Sequence, residues 1–255
     1  MFSCNEKKKW ENNIINNLFI KLLINLHIEL NRFFFFLAPY ITKCKIDDSK
    51  CMKESAQAVL KMFVAGIKEL GVETLDPLSM KSLNASSSNL KLLLSDIVGT
   101  GLDQSTVKKI QYDAAKNKLY VVLLCDVDFH GHYEMNGRIG PLPIEGNGQA
   151  HVVLNKLKIS VDVDNEVKTG KDGLPHWHIT GYKHRYELQQ KAVIELENLF
   201  DGNELLGRAA KDLLKSSPNE VIDEVGPPIV TAVCGKIVKS VNNMFKNIPL
   251  SELDL

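Results

Sequence analysis

The sequence predicts an α+β domain in which a long, strongly curved antiparallel β-sheet wraps around a long C-terminal α-helix. Apolar and polar residues alternate for about fifteen residues from Leu119, a strand period that far outlasts the usual five or six residues. Gly131 and Gly137 inside this run indicate bends or bulges. Between Val221 and Ile248 apolar residues recur almost always four apart, which predicts a helix whose long apolar surface needs a cover.

The elements before the long strand are a helix, a turn and a loop. From Met52 to Leu70 apolar residues recur at three- and four-residue steps, which predicts a helix that stops at Gly71. Asp76-Pro77 then turns the chain, and residues 85–90 form a loop. The antiparallel region is expected to follow this loop.

Two further strands are predicted after the first. A turn at residues 146–148 (Gly-Asn-Gly) leads into a return strand over residues 150–163, and a shift of its alternation near Asn155 indicates a bulge. A second turn at residues 171–173 leads into a third strand over residues 177–186.

The last third of the chain is predicted to be helical. Residues 217–220 (Ser-Pro-Asn-Glu) have the capping-box pattern with proline at the first helical position. Residues 226–228 (Gly-Pro-Pro) are expected to kink the long helix near its start. A sheet coiled around such a helix leaves an apolar tunnel wherever large side chains fail to fill it, and an apolar tunnel binds apolar ligands.

The composition excludes several classes of protein. The 31 basic and 31 acidic side chains provide no basic excess for phosphates, so no nucleic acid partner is expected. No stretch approaches the roughly 20 consecutive apolar residues of a membrane-spanning helix, so no integral membrane segment is predicted. The sequence has neither a Gly-x-Ser-x-Gly elbow nor a glycine-rich phosphate loop, and we predict neither an enzyme nor a cofactor.

Residues 1–43 differ from the rest of the chain and are left out of the predicted domain, which spans residues 44–255. Arg32 precedes four phenylalanines at 33–36, the outline of a secretory signal. The apolar run is shorter than usual and a long segment precedes it, so an unrelated extension or an amphipathic surface helix stays an alternative.

The cysteines carry information about the compartment. For Cys44 and Cys51, which enclose a short polar turn, we favour a disulfide over a metal site, because no second Cys/His pair lies nearby. Cys125 and Cys234 lie on apolar elements and are expected to be buried thiols, with a second bridge as the alternative. Asn84 begins an N-glycosylation sequon in a Ser- and Asn-rich loop, which agrees with export.

The expected tunnel draws its lining from the first helix, the first long strand and the last helix. For each residue, plain core packing is the alternative. Tyr133 stands out because a phenol inside an apolar tube can hydrogen-bond an ester, epoxide or acid oxygen. The predicted lining comprises Phe63, Leu123, Cys125, Val127, Phe129, Tyr133, Ile229, Val233, Ile237 and Val241.

Two His-x-His pairs, His130/His132 and His176/His178, raise a metal-binding hypothesis, because residues i and i+2 of a strand project to the same face. Neither pair has a carboxylate or cysteine at a defined offset. We therefore favour solvated histidines and predict no metal site.

Four segments together resemble the insect takeout and haemolymph juvenile-hormone-binding proteins, and their order and spacing hold across residues 44–255. They are the Cys44/Cys51 pair followed by residues 66–72 (GIKELGV) and 75–78 (LDPL); residues 131–148, similar to the family's G-x-Y-x-x-x-G…LPI-x-G-x-G; residues 196–202, similar to L-x-NLFNG with Asp201 for the second Asn; and residues 245–253, similar to F-x-x-x-P-x-x-x-L.

The resemblance implies a tubular lipid-binding fold in a single elongated domain, secretion into a haemolymph-like fluid, a bridged Cys44/Cys51 pair, and binding of juvenile hormone or another hydrophobic ligand. The predicted function is a secreted, non-enzymatic carrier of a small lipophilic molecule such as a terpenoid or a fatty-acid-like lipid. One alternative is a signalling or interaction protein of the same fold without cargo, which a tunnel plugged by side chains would favour. The other is a metal-binding protein that uses the two histidine pairs.

Overall fold

The computed structural model describes Lys21 and residues 41–253, and the chain from Lys43 onward forms one compact unit. The predicted signal-like segment, residues 1–43 with its phenylalanine run, lies almost wholly outside the described residues, so its nature stays a prediction. No helix within the described part of the chain has the length and apolarity needed to cross a bilayer.

Between Ile41 and Leu253 the chain forms one antiparallel sheet, a first helix, and a helical C-terminal third. The strands are β1 (Leu78–Asn84), β2 (Leu90–Thr100), β3 (Thr106–Asp113), β4 (Lys118–Ile139), β5 (Leu142–Thr169), β6 (Pro175–Leu188) and β7 (Val193–Leu196). The α-helices are α1 (Ser49–Ala65), α2 (Glu204–Ser216), α3 (Pro218–Val225) and α4 (Pro227–Asn247).

The two longest strands, β4 and β5, organise the sheet. They pair along their whole length, and the strand order runs β1-β2-β4-β5-β6. On the other edge of β4, strands β3 and β2 follow one another end to end; on the other edge of β5, strands β6 and β7 do the same. The strands of 22 and 28 residues therefore form the centre of the sheet: β2, β3, β6 and β7 pair with one of them directly, and β1 is added through β2.

The sheet curls around α4, because this one helix reaches strands at both ends of the strand order. Lys236 Nζ donates to the carbonyl of Ser79 in β1 (3.2 Å), and Asn242 Oδ1 accepts from the backbone N–H of Ile179 in β6 (2.9 Å). Laid flat, five strands would place their outer members about 19 Å apart, whereas a helix is only about 10 Å wide. The predicted fold class, a curved antiparallel sheet around a C-terminal helix, is confirmed.

The bulge predicted near Asn155 is confirmed. Cys125 pairs with Leu157 but Val127 pairs with Leu154, so β5 carries the extra residue. Lys156 adopts a left-handed φ of 54°, and Asp126 Oδ1 accepts its backbone N–H at 2.7 Å. The carboxylate thus satisfies a donor that the broken ladder leaves unpaired.

The turn predicted at residues 146–148 is wrong. The hairpin turns earlier, between the paired residues Ile139 and Leu142, and β5 runs straight through Gly146 and Gly148. A Cβ atom on Gly146 would lie 2.5 Å from the Tyr133 hydroxyl oxygen, and one on Gly148 would lie 2.6 Å from the carbonyl oxygen of Glu197. These glycines allow close packing and do not mark a turn. The turn predicted at 171–173 does lie between β5 and β6.

The first helix is shorter than its periodicity predicts. It ends at Ala65, because Gly66 takes a φ of 93°, and a separate 3₁₀ turn over Lys68–Leu70 leads to Gly71. The apolar spacing continues across the break, since Ile67 and Leu70 are both buried.

The sequence pattern does not predict strands β1 to β3, which the structure adds to the sheet.

The C-terminal third breaks where the Gly-Pro-Pro sequence predicts. Helix α3 ends at Val225 and α4 begins at Pro227. Pro218 occupies the first turn of α3 as expected, but Ser217 makes no side-chain capping bond, so the predicted capping box does not form. Asn219 instead accepts the backbone N–H of Ala192 at 2.8 Å and ties α3 to the loop before β7.

The Cys44–Cys51 disulfide is present, with the Cα atoms 5.7 Å apart. The backbone N–H of Cys44 donates to the carbonyl of Leu253 at 3.1 Å, and Lys43 pairs with Glu252 at 3.3 Å. The bridged loop therefore fastens the start of the described chain to its end.

We expect the double variant Cys44→Ser/Cys51→Ser to lower the free energy of unfolding by about 2.5 kcal/mol, because closing a short loop restricts the unfolded chain. Urea denaturation with and without reductant measures this. The reductant should destabilise the parent protein and leave the double variant unchanged. Equal stability of the oxidised parent and the double variant would contradict the prediction.

Candidate ligand-binding cavity

A cavity lies between the concave face of the sheet and helices α2 to α4. The volume open to the centre of a water molecule is about 160 Å³, and on this measure one water needs about 10–15 Å³. The lining comes from β2 (Leu92, Leu94, Ile97), β4 (Phe129, Tyr133, Met135, Ile139), β5 (Ala150, Val152, Leu154, Leu157, Ile159), β7 (Ile194, Leu196), and the helices (Leu214, Val221, Ile222, Val225, Ile229, Val230, Val233, Cys234). This hollow is far larger than a packing defect.

The break between α3 and α4 lies at the cavity. Gly226 lines it, flanked by Val225 and Ile229. A Cβ on Gly226 would lie 2.4 Å from the carbonyl oxygen of Ile222 and 3.1 Å from the Tyr186 hydroxyl, so the close approach of β6 to the break requires a glycine. Helices α3 and α4 meet here, at two prolines that have no backbone N–H to continue the helical hydrogen bonds, and the cavity lies beside this break.

The side chains that the described residues contribute to the cavity wall are apolar except for Tyr133 and His130, and none of them is Asp, Glu, Lys or Arg. His130 borders the cavity, but its ring is 61% exposed at the surface. Burial raises the pKa of the Cys234 thiol to about 11, and the nearby Cys125 adds to the shift. Both cysteines are buried free thiols, so Cys234 presents a neutral, weakly polar group and not a nucleophilic thiolate.

Tyr133 has its hydroxyl already bonded. It donates to the carbonyl of Glu197 at 2.6 Å, and the side chain is 1% exposed. Burial raises its pKa to about 12, and the negative charge of Glu197 adds to the shift. The one phenolic proton is thus used to hold β4 to the segment after β7, and its donation to a ligand oxygen would break that bond.

The structure places only part of the predicted lining at this cavity. Phe129, Tyr133, Ile229 and Val233 line it. Leu123, Cys125 and Val127 belong to the packed core further along β4, Phe63 is buried at the end of α1, and Ile237 and Val241 lie beyond the cavity on α4.

The sequence-based lining omitted the walls formed by β2, β5, β7, α2 and α3. For β5 the signal was visible, since Leu154, Leu157 and Ile159 follow the alternating pattern on either side of the bulge. The short strand β7 gave none, because four residues are too few to establish a period.

The predicted histidine pairs are arranged differently from the i, i+2 hypothesis. His130 stacks on His151 of the neighbouring strand, with ring centroids 4.2 Å apart, and not on His132. His176 is buried, with one ring nitrogen 3.3 Å from the carbonyl of Phe245 and the other 3.0 Å from the carboxylate of Asp172. Both of its nitrogens therefore have protein partners.

Comparisons with known proteins agree with this architecture. Residues 22–254 match the family described as "Haemolymph juvenile hormone binding protein (JHBP)". The circadian clock-controlled protein daywake of Drosophila yakuba is 26% identical over 225 residues, covering 83% of this chain and 86% of daywake; the Drosophila melanogaster protein is 26% identical over 224 residues, with the same coverage. The crystal structure of Takeout 1 from Epiphyas postvittana superposes with a TM-score of 0.80 at 30% identity, covering 84% of this chain and 99% of that one.

We expect Tyr133→Phe to lower the free energy of unfolding by about 1–2 kcal/mol, because the carbonyl of Glu197 loses its partner. The folded-state pKa of about 12 lies above the ordinary value of 10.0. The proton is therefore held more tightly in the folded protein, and this contribution is complete below pH 10 and lost as the pH rises toward 12.

Urea denaturation at about pH 9 and about pH 11.5 tests both effects. The stability deficit of Tyr133→Phe should shrink at the higher pH, because the parent has then lost its advantage. Tyr120→Phe is the matched control and should change stability by less than about 0.5 kcal/mol at pH 9. A deficit that is the same at both pH values would contradict the assignment.

Proposed function

The chain belongs to the haemolymph juvenile hormone binding protein family, and we propose that it is a secreted, non-enzymatic carrier of a small hydrophobic ligand. The observation that carries the proposal is the apolar cavity between sheet and helices. Its volume supports a carrier over an interaction protein of the same fold without cargo, for which a filled interior is expected.

Burial of apolar surface supplies the affinity. A terpenoid or a fatty-acid-like chain that buries about 300 Å² gains roughly 7 kcal/mol at about 25 cal/mol/Å², before the entropic costs of association. The wall is formed largely by Leu, Ile and Val side chains, which complement a branched or linear hydrocarbon equally well. Shape and length of the chain, more than hydrogen bonds, then select the ligand.

The lining also determines where a polar group of the ligand can lie and whether that group can carry a charge. None of the described lining residues is a lysine or arginine that could pair with a carboxylate, and the hydroxyl of Tyr133 is bonded to Glu197. A charged group buried there would lose its hydration without a compensating partner. The polar end of the ligand therefore stays at the cavity opening or is uncharged.

Export is supported by the disulfide, since such bonds persist in oxidising compartments. Asn84 of the predicted glycosylation sequon is exposed at the end of β1, where a glycan has room. The terpenoid juvenile hormone named in the family description is one candidate ligand, together with fatty-acid-like lipids.

Val230→Phe tests the cavity directly. Val230 lines the cavity from α4, so a phenyl ring there occupies the space of the ligand. We expect the dissociation constant of a fluorescent anthroyloxy fatty acid, measured by titration with the full-length chain, to rise about tenfold or more, which corresponds to about 1.4 kcal/mol.

The matched control is Val193→Phe, the same substitution on a β7 side chain that is 45% exposed. It should bind the probe as the parent does. Thermal unfolding shows whether both variants stay folded. If the parent binds neither this probe nor any terpenoid or fatty acid at micromolar concentration, the carrier proposal is wrong.

Neutral ligands should bind at least as tightly as ionised ones. In displacement of the same probe at neutral pH, we expect methyl palmitate to compete as well as or better than palmitate, because the described lining residues include no lysine or arginine to pair with the carboxylate. A clear preference for palmitate would show that a basic group outside the described lining takes part.

A further inference from the structure

Four polar side chains meet on the sheet face opposite the cavity, where β4, β5 and β7 lie side by side. The strand register places His130 directly across from His151, and His151 directly across from Glu195. Asp128 precedes His130 by two residues and so shares its face. Phe129, between them, lines the cavity, which puts these side chains on the outer surface.

The donor atoms of this cluster converge. His130 Nε2 lies 2.9 Å and His151 Nε2 lies 3.0 Å from the same carboxylate oxygen, Asp128 Oδ1. The two imidazole rings are nearly parallel, with 6° between their planes. One ligand atom from each of the three residues lies within 4.8 Å of the others. Donors bound to one tetrahedral zinc ion at about 2.1 Å lie roughly 3.4 Å apart, so small side-chain movements suffice.

Glu195 contacts His151 on the side of the ring that faces away from Asp128. Its Oε2 lies 3.3 Å from Nδ1 of His151, the ring nitrogen that faces away from Asp128. A proton held on Nδ1 by this carboxylate leaves Nε2 as the nitrogen with the lone pair for an ion. A carboxylate behind a metal-ligating imidazole is the arrangement that commonly sets its tautomer and raises its basicity.

Two other histidines of the His-x-His pairs, His132 and His176, are not part of this cluster. His176 is buried with both ring nitrogens engaged by protein atoms, so it has no free donor for an ion. His132 shares the outer face of β4 but lies outside the converging group.

We propose that Asp128, His130 and His151 form a surface site for Zn²⁺ or Cu²⁺, with Glu195 as an outer-sphere carboxylate. Two imidazole nitrogens and one carboxylate oxygen are a donor set that suits both ions, and the exposed position leaves room for a water ligand.

The site connects β4 with β5 and, through Glu195, also β7, whose Ile194 and Leu196 line the cavity. Metal binding would thus stabilise one wall of the cavity, and the proposal does not depend on the carrier function.

The test is calorimetric titration of the untagged full-length chain, stripped with a chelator and then dialysed, with ZnCl₂ and separately with CuCl₂. We expect a single equivalent of Zn²⁺ to bind with micromolar affinity and to raise the thermal unfolding temperature. His130→Ala and His151→Ala should each abolish this binding. Glu195→Gln should weaken it by about tenfold, the lower end of the usual effect of an outer-sphere partner.

His132→Ala is the matched control, because it removes a histidine from the same face of the same strand and should leave binding unchanged. Electron paramagnetic resonance of the Cu²⁺ complex should show two coupled imidazole nitrogens both in the parent and in His132→Ala. Thermal unfolding without metal checks that the variants fold. No binding below millimolar Zn²⁺, or binding retained in His130→Ala and His151→Ala but lost in His132→Ala, would overturn the proposal.

Discussion

The long apolar concave face of β4 and β5 has to be covered, and this requirement shapes the fold. Strands of 22 and 28 residues present a long strip of apolar side chains, and water must be kept from it. Helix α4 does so by reaching both ends of the strand order, through Lys236 at Ser79 and Asn242 at Ile179. The sheet can satisfy both contacts only if it curls, so covering one surface determines the curvature of the whole domain.

The cavity follows from the same constraint. Helix α4 packs closely against the curved sheet along part of its length, and there Cys125 and Val127 are tightly buried. At Gly226 the helix is interrupted, and the concave face beside this break stays unfilled. The hydrogen bond from Tyr133 to the carbonyl of Glu197 holds part of the wall together, and Gly146 and Gly148 of β5 leave the space that it needs.

Local patterns predicted those parts of the fold whose cause is local. Period-two alternation identified β4 and the far half of β5, the shifted pattern identified the bulge beside Asn155, and Gly-Pro-Pro identified the break before α4. Where a local signal served a distant contact, the prediction was wrong. Gly146 and Gly148 have the composition of a turn, yet they are glycines because Tyr133 and Glu197 lie against them.

Alternation and spacing along the chain are enough to predict the interior faces of the long strands, the Cys44–Cys51 pair, and a long sheet covered by a long helix. Which interior residues reach the cavity depends on the folded arrangement of distant segments. Val127 and Phe129 share a face of β4, yet Val127 lies in the packed core and Phe129 lines the cavity. The contact between His130 and His151 likewise requires the register between two strands. Periodicity is a property of neighbouring residues, whereas depth and register depend on distances between segments far apart in the chain.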